Sequence, residues 1–460
     1  MFGHTFLRID SSLNSKLLSY AINYAAQADG STENGFIFAI KGLFGGYYGK
    51  YSLLPYYEKL KEYRDTEQRD IFEYDLNLTY DEIIMMLRHI WEIKDTYSNY
   101  YFFDENCSYN ILWLLEIARE SLNLRDYFTY QVSPPETLFA VKEENLIKNK
   151  QYRASKRTKI LTYKLKIKDK YLSLVKQLSL NEILPKDVLH KDISLQQKQF
   201  IFEAAIELTE YNYIENRLSK KEYIKIFYSL SKARATLKKG KKLKIKKISN
   251  PLDGHRAIKT TIQSQYSDTG LSYLFGIRAA YHSLDDSDIG FLKGTEIRFL
   301  DTLFHYKDNS LYLDQLTLLS IVSLSQIDVF FTPMSWRTKF IFDRNKLDDT
   351  LLFNGSIGTG ISFNIYKENF LYLLSDFTTY ENKDLSIGVS IGAILYQKDN
   401  FKTNIELTQK IYSDKNKQFL TSFIQSYRVK QNINLQLKYN YVQKLTKDKN
   451  HLNLSLNLFF

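Results

Sequence analysis

Cys107 is the only cysteine among 460 residues, and it stands in YYFFDENCSYNILWLLE at what reads as the start of an apolar helix. A single thiol cannot close an internal disulfide, so it is a buried small hydrophobe, a stray reactive group or a nucleophile. Asn106 and Ser108 are residues that cap the free N–H groups of a first turn, and the helix dipole there favours thiolate over thiol. Inert packing is the standing alternative. The natural base for Cys107 is His4, in GHTFLRI, where the residues after the imidazole alternate like a strand entering a core. A thiol becomes an acyl-accepting nucleophile when a nearby base takes its proton and a third polar group fixes the base's tautomer. A histidine near the start and a cysteine roughly a hundred residues later on a helix N-terminus is a circularly permuted papain-like order. His89 is the rival base, but it lies in an amphipathic helical pattern where a structural role is expected. The seven histidines are scattered without HxxxH or CxxC spacing, and no P-loop or dinucleotide fingerprint occurs, so no metal or cofactor is expected.

The elements that must position these residues fall into three segments. Over 1–145, HTFLRI, YAINYAA and GFIFAI read as strands, and the glycine cluster GLFGGYYG at 42–49 reads as a tight loop. Ile84, Met85, Leu87 and Trp91 are helically spaced over Asp81–Ile93. A second helix follows Cys107, with Ile111, Leu112, Leu115 and Ile117 on one face, and Pro134 and Pro135 close the unit. The segment 146–250 reads as a polar helical connector, with core stripes at Phe200, Ile201, Ala204, Ala205 and Leu208 and at Tyr223, Ile224, Phe227 and Leu230.

The segment 251–460 alternates apolar and polar or tiny residues in runs of about ten, separated by short turns such as ENKD and QKDN. Leu385, Ile387, Val389 and Ile391 alternate with Ser386, Gly388, Ser390 and Gly392, and Leu452, Leu454, Leu456 and Leu458 alternate with Asn453, Ser455 and Asn457. That dyad pattern suits an antiparallel transmembrane barrel of about twelve strands, with lipid outside and water or a plug inside. A soluble sandwich also alternates, but its apolar face would be the inner one. Tyrosines and Trp336 near the strand ends suit interfacial girdles. The terminal Phe460 resembles the assembly signal of outer-membrane barrels.

Aromatics make up 15% of the chain, and no run of 18 apolar residues exists, which excludes a spanning helix. The opening MFGHTFLRID has neither the basic nor the apolar region of a signal peptide. Net charge is +11, unevenly placed: residues 1–140 hold 12 Lys/Arg against 20 Asp/Glu, and residues 141–250 hold 28 against 11. The basic middle contains no nucleic-acid module, so no nucleic-acid partner is expected. Its densest run, KKGKKLKIKK, reads either as a solvated face or as a surface for anionic lipid head groups.

The ordered string FGHTFLRID, YAINYAA, GLFGGYYGKYSLLPYYEKLKEY, RDIFEYDLNLT, HIWEI and YYFFDENCSYNILWLLE resembles the Lnb N-terminal periplasmic domain family, over about residues 1–140. The resemblance implies a permuted papain-like α+β domain related to the lecithin retinol acyltransferase group, which uses Cys and His in acyl transfer or hydrolysis. The family's namesake moves an acyl chain within bacterial lipoproteins. The resemblance makes Cys107 the nucleophile and His4 the base, with Asn23, on a neighbouring strand, as third member and Tyr24 as its alternative. It further implies a periplasmic N-terminal domain; the barrel-like half departs from the namesake, which has transmembrane helices, and the start lacks the export signal that precedes the GH motif in that family. The expected partners are outer-membrane lipid and a lipid, lipoprotein or peptidoglycan substrate; oligomeric state is left open. A thiol acyltransferase or hydrolase is the leading reading. A cell-wall peptidase or amidase, and a non-enzymatic barrel with an inactive scaffold domain, are the alternatives.

Overall fold

The computed structural model describes residues 3–11, 18–27, 41–42, 45–129, 131–240, 243–245, 248–344, 350–366, 368–398, 400–444 and 447–460. The strand expected in GFIFAI, at 35–40, lies outside them. Two compact units are present, His4–Ile248 and Ser249–Phe460, apart from Gly3 at the chain start.

The first unit is built on an antiparallel sheet of β1 (Leu7–Ile9), β2 (Tyr20–Ala26), β3 (Tyr47–Pro55) and, from further along, Ser98–Tyr100, in the order β1, β2, β3, then that last strand. Helix α1 (Tyr56–Lys61), strand β4 (Ile71–Leu76) and helix α2 (Tyr80–Glu92) precede it, so Ser98–Tyr100 is β5. Helix α3 (Cys107–Ala118) follows. It is buried nearly all round, and its apolar residues therefore serve two cores in place of the single face expected. Ile111, Leu114 and Ala118 pack with Ile22 of β2 and with Met86 and Ile90 of α2. Leu112 and Leu115 pack with Ala140 and Val141 of α4 (Pro134–Glu143). The helix that carries the thiol is thus clamped against the strand next to the one His4 leads into.

The helical segment expected as a separate connector lies within this same unit. Its first element is a strand, β6 (Ile147–Arg153), paired antiparallel with β4. Glu73 of β4 takes Arg8 of β1 at 2.5 Å, together with Tyr56 and Arg153, and so ties the His4 strand to this ribbon. Helices α5 (Lys156–Lys164), α6 (Leu172–Ser179), α7 (Pro185–Leu189), α8 (Leu195–Ile214) and α9 (Lys220–Thr236) complete the unit. The α8 stripe from Phe200 to Leu208 is buried as its spacing predicts. The α9 stripe is buried only in part: Leu230 is buried and Tyr223 half-buried, but Ile224 and Phe227 are exposed, and Ile226 and Ala233, helically spaced with Leu230, face inward in their place. Two overlapping stripes exist in that helix, and packing chose the one with the smaller residues.

The second unit is a closed barrel. Its strands are β7 (Lys259–Ser267), β8 (Gly270–His282), β9 (Thr295–Lys307), β10 (Ser310–Ser323), the short β11 (Gln326–Ile327), β12 (Ser335–Arg344), β13 (Leu351–Asn364), β14 (Phe370–Tyr380), β15 (Leu385–Lys398), β16 (Phe401–Tyr412), β17 (Lys417–Lys430), β18 (Ile433–Lys444) and β19 (Lys447–Phe459). Leaving out β11, twelve antiparallel strands pair in sequence, and β19 pairs with β7 to close the ring. Asp308 and Asn309 both adopt positive φ between β9 and β10, the conformation that a two-residue hairpin turn requires. The faces are inverted relative to a soluble protein. Ile357, Ile387 and Leu454 are 65%, 60% and 57% exposed, whereas Ser390 is fully buried and Asn457 nearly so. An apolar outer belt around a polar interior is the outer-membrane solution, since a sheet satisfies every backbone group in lipid only when its ladder closes. No helix among the described residues is long and apolar enough to cross a membrane.

The β8–β9 connection, residues 283–294, folds inward. Asp285 O accepts hydrogen bonds from Ser426 of β17 (2.7 Å) and Gln436 of β18 (2.8 Å), and Asn404 of β16 donates to Leu284 O (2.6 Å). In a ring of twelve, β15 and β16 stand opposite β8 and β9, and Tyr396 of β15 and Lys402 of β16 both hold Asp288 of the loop. The loop therefore spans the bore.

Candidate active site

Asn106 caps α3: its Oδ1 accepts from the N–H groups of Ser108 (2.9 Å) and Tyr109 (3.3 Å), while its Nδ2 donates to Val132 O (2.6 Å) and Phe102 O (3.1 Å). This holds Cys107 as the first helical residue, buried to 4% exposure. Ser108 Oγ is 3.9 Å from the thiol, and the His4 imidazole and the Thr5 backbone lie near enough to act on its charge. Ser108 Oγ is itself 2.9 Å from Thr5 Oγ1, a link between the helix start and the His4 segment. His4 Nε2 lies 2.5 Å from Asn23 Oδ1. A side-chain carbonyl oxygen only accepts, so Nε2 carries the proton and Nδ1 is left as the base toward sulfur. The ring stacks on Tyr63, with centroids 5.5 Å apart.

The electrostatics follow from this geometry. Burial by itself pushes the Cys107 thiol up, but the hydrogen bond and charge of His4, with Thr5 and Ser108, outweigh it and bring it down to about 7. Burial lowers His4, but the thiol and Asn23 outweigh that too and hold it above its ordinary value, against a small opposing push from Lys59. Each member of the pair stabilises the charged form of the other, the condition for a thiolate–imidazolium pair near neutral pH.

The structure thus brings Cys107, His4 and Asn23 together. Tyr24 lies elsewhere, its hydroxyl 2.5 Å from Ser98 Oγ, and so is not the group on His4. His89 packs edge-on against Trp113 on the far side of α3's first core. One residue escaped the sequence reading. Tyr100, on β5, accepts the Cys107 N–H at its hydroxyl (3.2 Å) and lies in hydrogen-bonding reach of the thiol. Burial and the nearby thiol push its phenol far up, so it stays a protonated donor. The helix-start N–H groups are therefore engaged: Cys107 by Tyr100, Ser108 and Tyr109 by Asn106. The Tyr100 hydroxyl, which accepts that N–H of Cys107, still has its own hydrogen to donate. A three-residue strand paired through Tyr47↔Tyr100 puts it there, and spacing in sequence does not reveal that pairing.

A thiol lowered by an imidazole that is oriented by a buried amide is the arrangement of a nucleophile. Residues 1–144 match the Lnb N-terminal periplasmic domain family. The Cys107–His4–Asn23 cluster lies within this Lnb-type domain, and residues 249–459 match a domain family of unknown function, DUF7840. No curated protein matches the chain. Among solved structures, the NanC porin matches at 8% identity and a TM-score of 0.30, over 44% of this chain and all of that one. An outer membrane channel from Pseudomonas putida F1 matches at 10% and 0.30, over 45% of this chain and 96% of that one. The Omp33 outer membrane protein of Acinetobacter baumannii matches at 11% and 0.26, over 45% and 99%. At these scores the likeness adds nothing to what the strand pairing already establishes. The Lnb-type periplasmic domain and the closed barrel with its apolar belt locate the chain at an outer membrane.

Proposed function

We propose that the chain is an outer-membrane-anchored thiol enzyme that moves or hydrolyses acyl groups of lipids or lipoproteins through a Cys107 thioester. The observation that carries the reading is the buried thiol held low by His4, with Asn23 fixing the imidazole. In this reading the Cys107 sulfur attacks an ester or amide carbonyl carbon, and the Tyr100 hydroxyl donates to the oxyanion. The tetrahedral adduct collapses with loss of the alcohol or amine, which takes its proton from His4, and a thioester remains. An incoming amine or water then attacks the thioester, gives its proton to His4, and the sulfur departs. The barrel restricts the donor to what an outer membrane offers.

The test is turnover of a diacyl phospholipid with a labelled acyl chain by the full chain in mixed micelles. Cys107→Ser and His4→Ala are each expected to abolish turnover while the folded barrel keeps its gel mobility. Undiminished turnover in Cys107→Ala would overturn the reading. Release of peptide from labelled muropeptides, with no acyl release from lipid, would favour the peptidase alternative.

A further inference from the structure

The histidines show no metal-ligand spacing in sequence, yet the fold brings two of them together at the loop that crosses the barrel. His255, just before β7, and His282, the last residue of β8, are both buried, and so is Asp286 in the inward loop. His255 Nε2 and His282 Nδ1 face each other at 3.0 Å, and Asp286 Oδ2 is 3.8 Å from the same His255 nitrogen.

The proton bookkeeping of the pair is what points to a cation. His255 Nδ1 lies 2.6 Å from Arg256 O, and His282 Nε2 lies 3.0 Å from Asp288 Oδ1. A backbone carbonyl and an ionised carboxylate only accept, so each of those ring nitrogens carries the hydrogen. Neutral imidazole has one. The two nitrogens that face each other are then both bare lone pairs, an arrangement that repels unless something positive lies between them. Asp288 is in turn held by Lys402 Nζ (2.9 Å) and Tyr396 OH (2.5 Å), so the carboxylate that orients His282 is itself fixed. Carboxylate and carbonyl acceptors behind metal-ligating histidines are the usual second layer of such sites. Two nitrogens on one tetrahedral zinc ion stand about 3.3 Å apart, close to the separation here.

Asp286 supplies the third donor. Its Oδ2 accepts from Arg278 Nη1 (2.7 Å) and from Ser283 N (2.9 Å), whereas its Oδ1 is buried without a hydrogen-bond partner among the described residues. The three residues can offer ligand atoms that all lie within 4.8 Å of one another. We infer that His255, His282 and Asp286 bind one divalent transition-metal ion of the zinc class. The ion staples the inward loop to the segment entering the first barrel strand.

The full chain, purified in detergent after chelation and dialysis, tests this with Co²⁺ as the optical probe and Zn²⁺ as its competitor. One tightly held Co²⁺ per chain is expected, with tetrahedral visible bands that Zn²⁺ abolishes. His255→Ala and His282→Ala should each lose that ion, and His305→Ala, at a histidine outside the cluster, should keep it. Asp288→Asn, which leaves the ligands in place, should weaken binding by about 10–100-fold; heat-modifiable gel mobility reports that each barrel is folded. Absence of a bound ion in the wild-type chain, which leaves a proton shared between the two rings, would overturn the proposal. So would equal binding by the His255→Ala and His282→Ala chains.

Discussion

Whether Cys107 attacks a carbonyl depends on the charge state that its neighbours impose, and that state can be read from pH. The thiolate fraction rises as pH passes about 7, below the 9.0 of an ordinary thiol, while the raised His4 keeps the imidazolium present above 6.5. The pair therefore forms in neutral solution and is lost when His4 gives up its proton at higher pH. Iodoacetamide labelling of Cys107 is expected to show a midpoint near 7. In His4→Ala the two largest lowering influences are gone and burial remains, so the midpoint is expected to move above 9.0. Tyr100→Phe is expected to lower kcat by about 10²-fold with little change in KM, as removal of an oxyanion donor does. Labelling of Cys107 should persist in that variant. Cys107 and His4 stand out in the sequence by residue type and order, as a nucleophile and a base, whereas Asn23 is implied only by the family resemblance, with Tyr24 as its alternative. Tyr100 does not stand out, because its role comes from a strand pairing and not from its neighbours along the chain.

At the scale of elements, the site depends on where α3 begins. Asn106 satisfies two N–H groups of that helix and two carbonyls from elsewhere, all from a nearly buried position. Asn106→Ala is expected to cost the unit about 2–3 kcal/mol, a lost cap plus buried groups left unpaired, measured as a shift in the urea midpoint of the first unit. An unchanged midpoint would contradict this account of the helix start. Helices α2 and α3 were readable from periodicity, and so was the burial of Phe200, Ile201 and Leu208 in α8, whereas α4 begins at Pro134, where the prolines read as the end of a unit. What periodicity left ambiguous was α9, where Tyr223/Ile224/Phe227/Leu230 and Ile226/Leu230/Ala233 are both valid stripes that share Leu230. It also missed β6: IKNKQYR carries no apolar alternation, and it becomes a strand because β4 offers it a ladder and Glu73 offers Arg153 an ion pair.

For the whole molecule, the strongest sequence signal was the dyad repeat of the second half, and the structure turns it into twelve strands with the apolar face outward. Alternation fixes which way side chains point but says nothing of loops, so the inward course of residues 283–294 was not readable. That loop predicts the barrel's behaviour: in planar bilayers the full chain is expected to show no steady conductance, and a stable open channel would contradict a bore spanned by Asp285 and its partners. In the function proposed above, the barrel is an anchor that brings the thiol to outer-membrane acyl groups. The most direct test of that claim is mass spectrometry of the intact chain after incubation with phospholipid of known acyl composition. The account predicts a hydroxylamine-sensitive acyl mass on the Cys107 peptide that is lost in His4→Ala. Turnover that proceeds with Cys107 never acylated would contradict it.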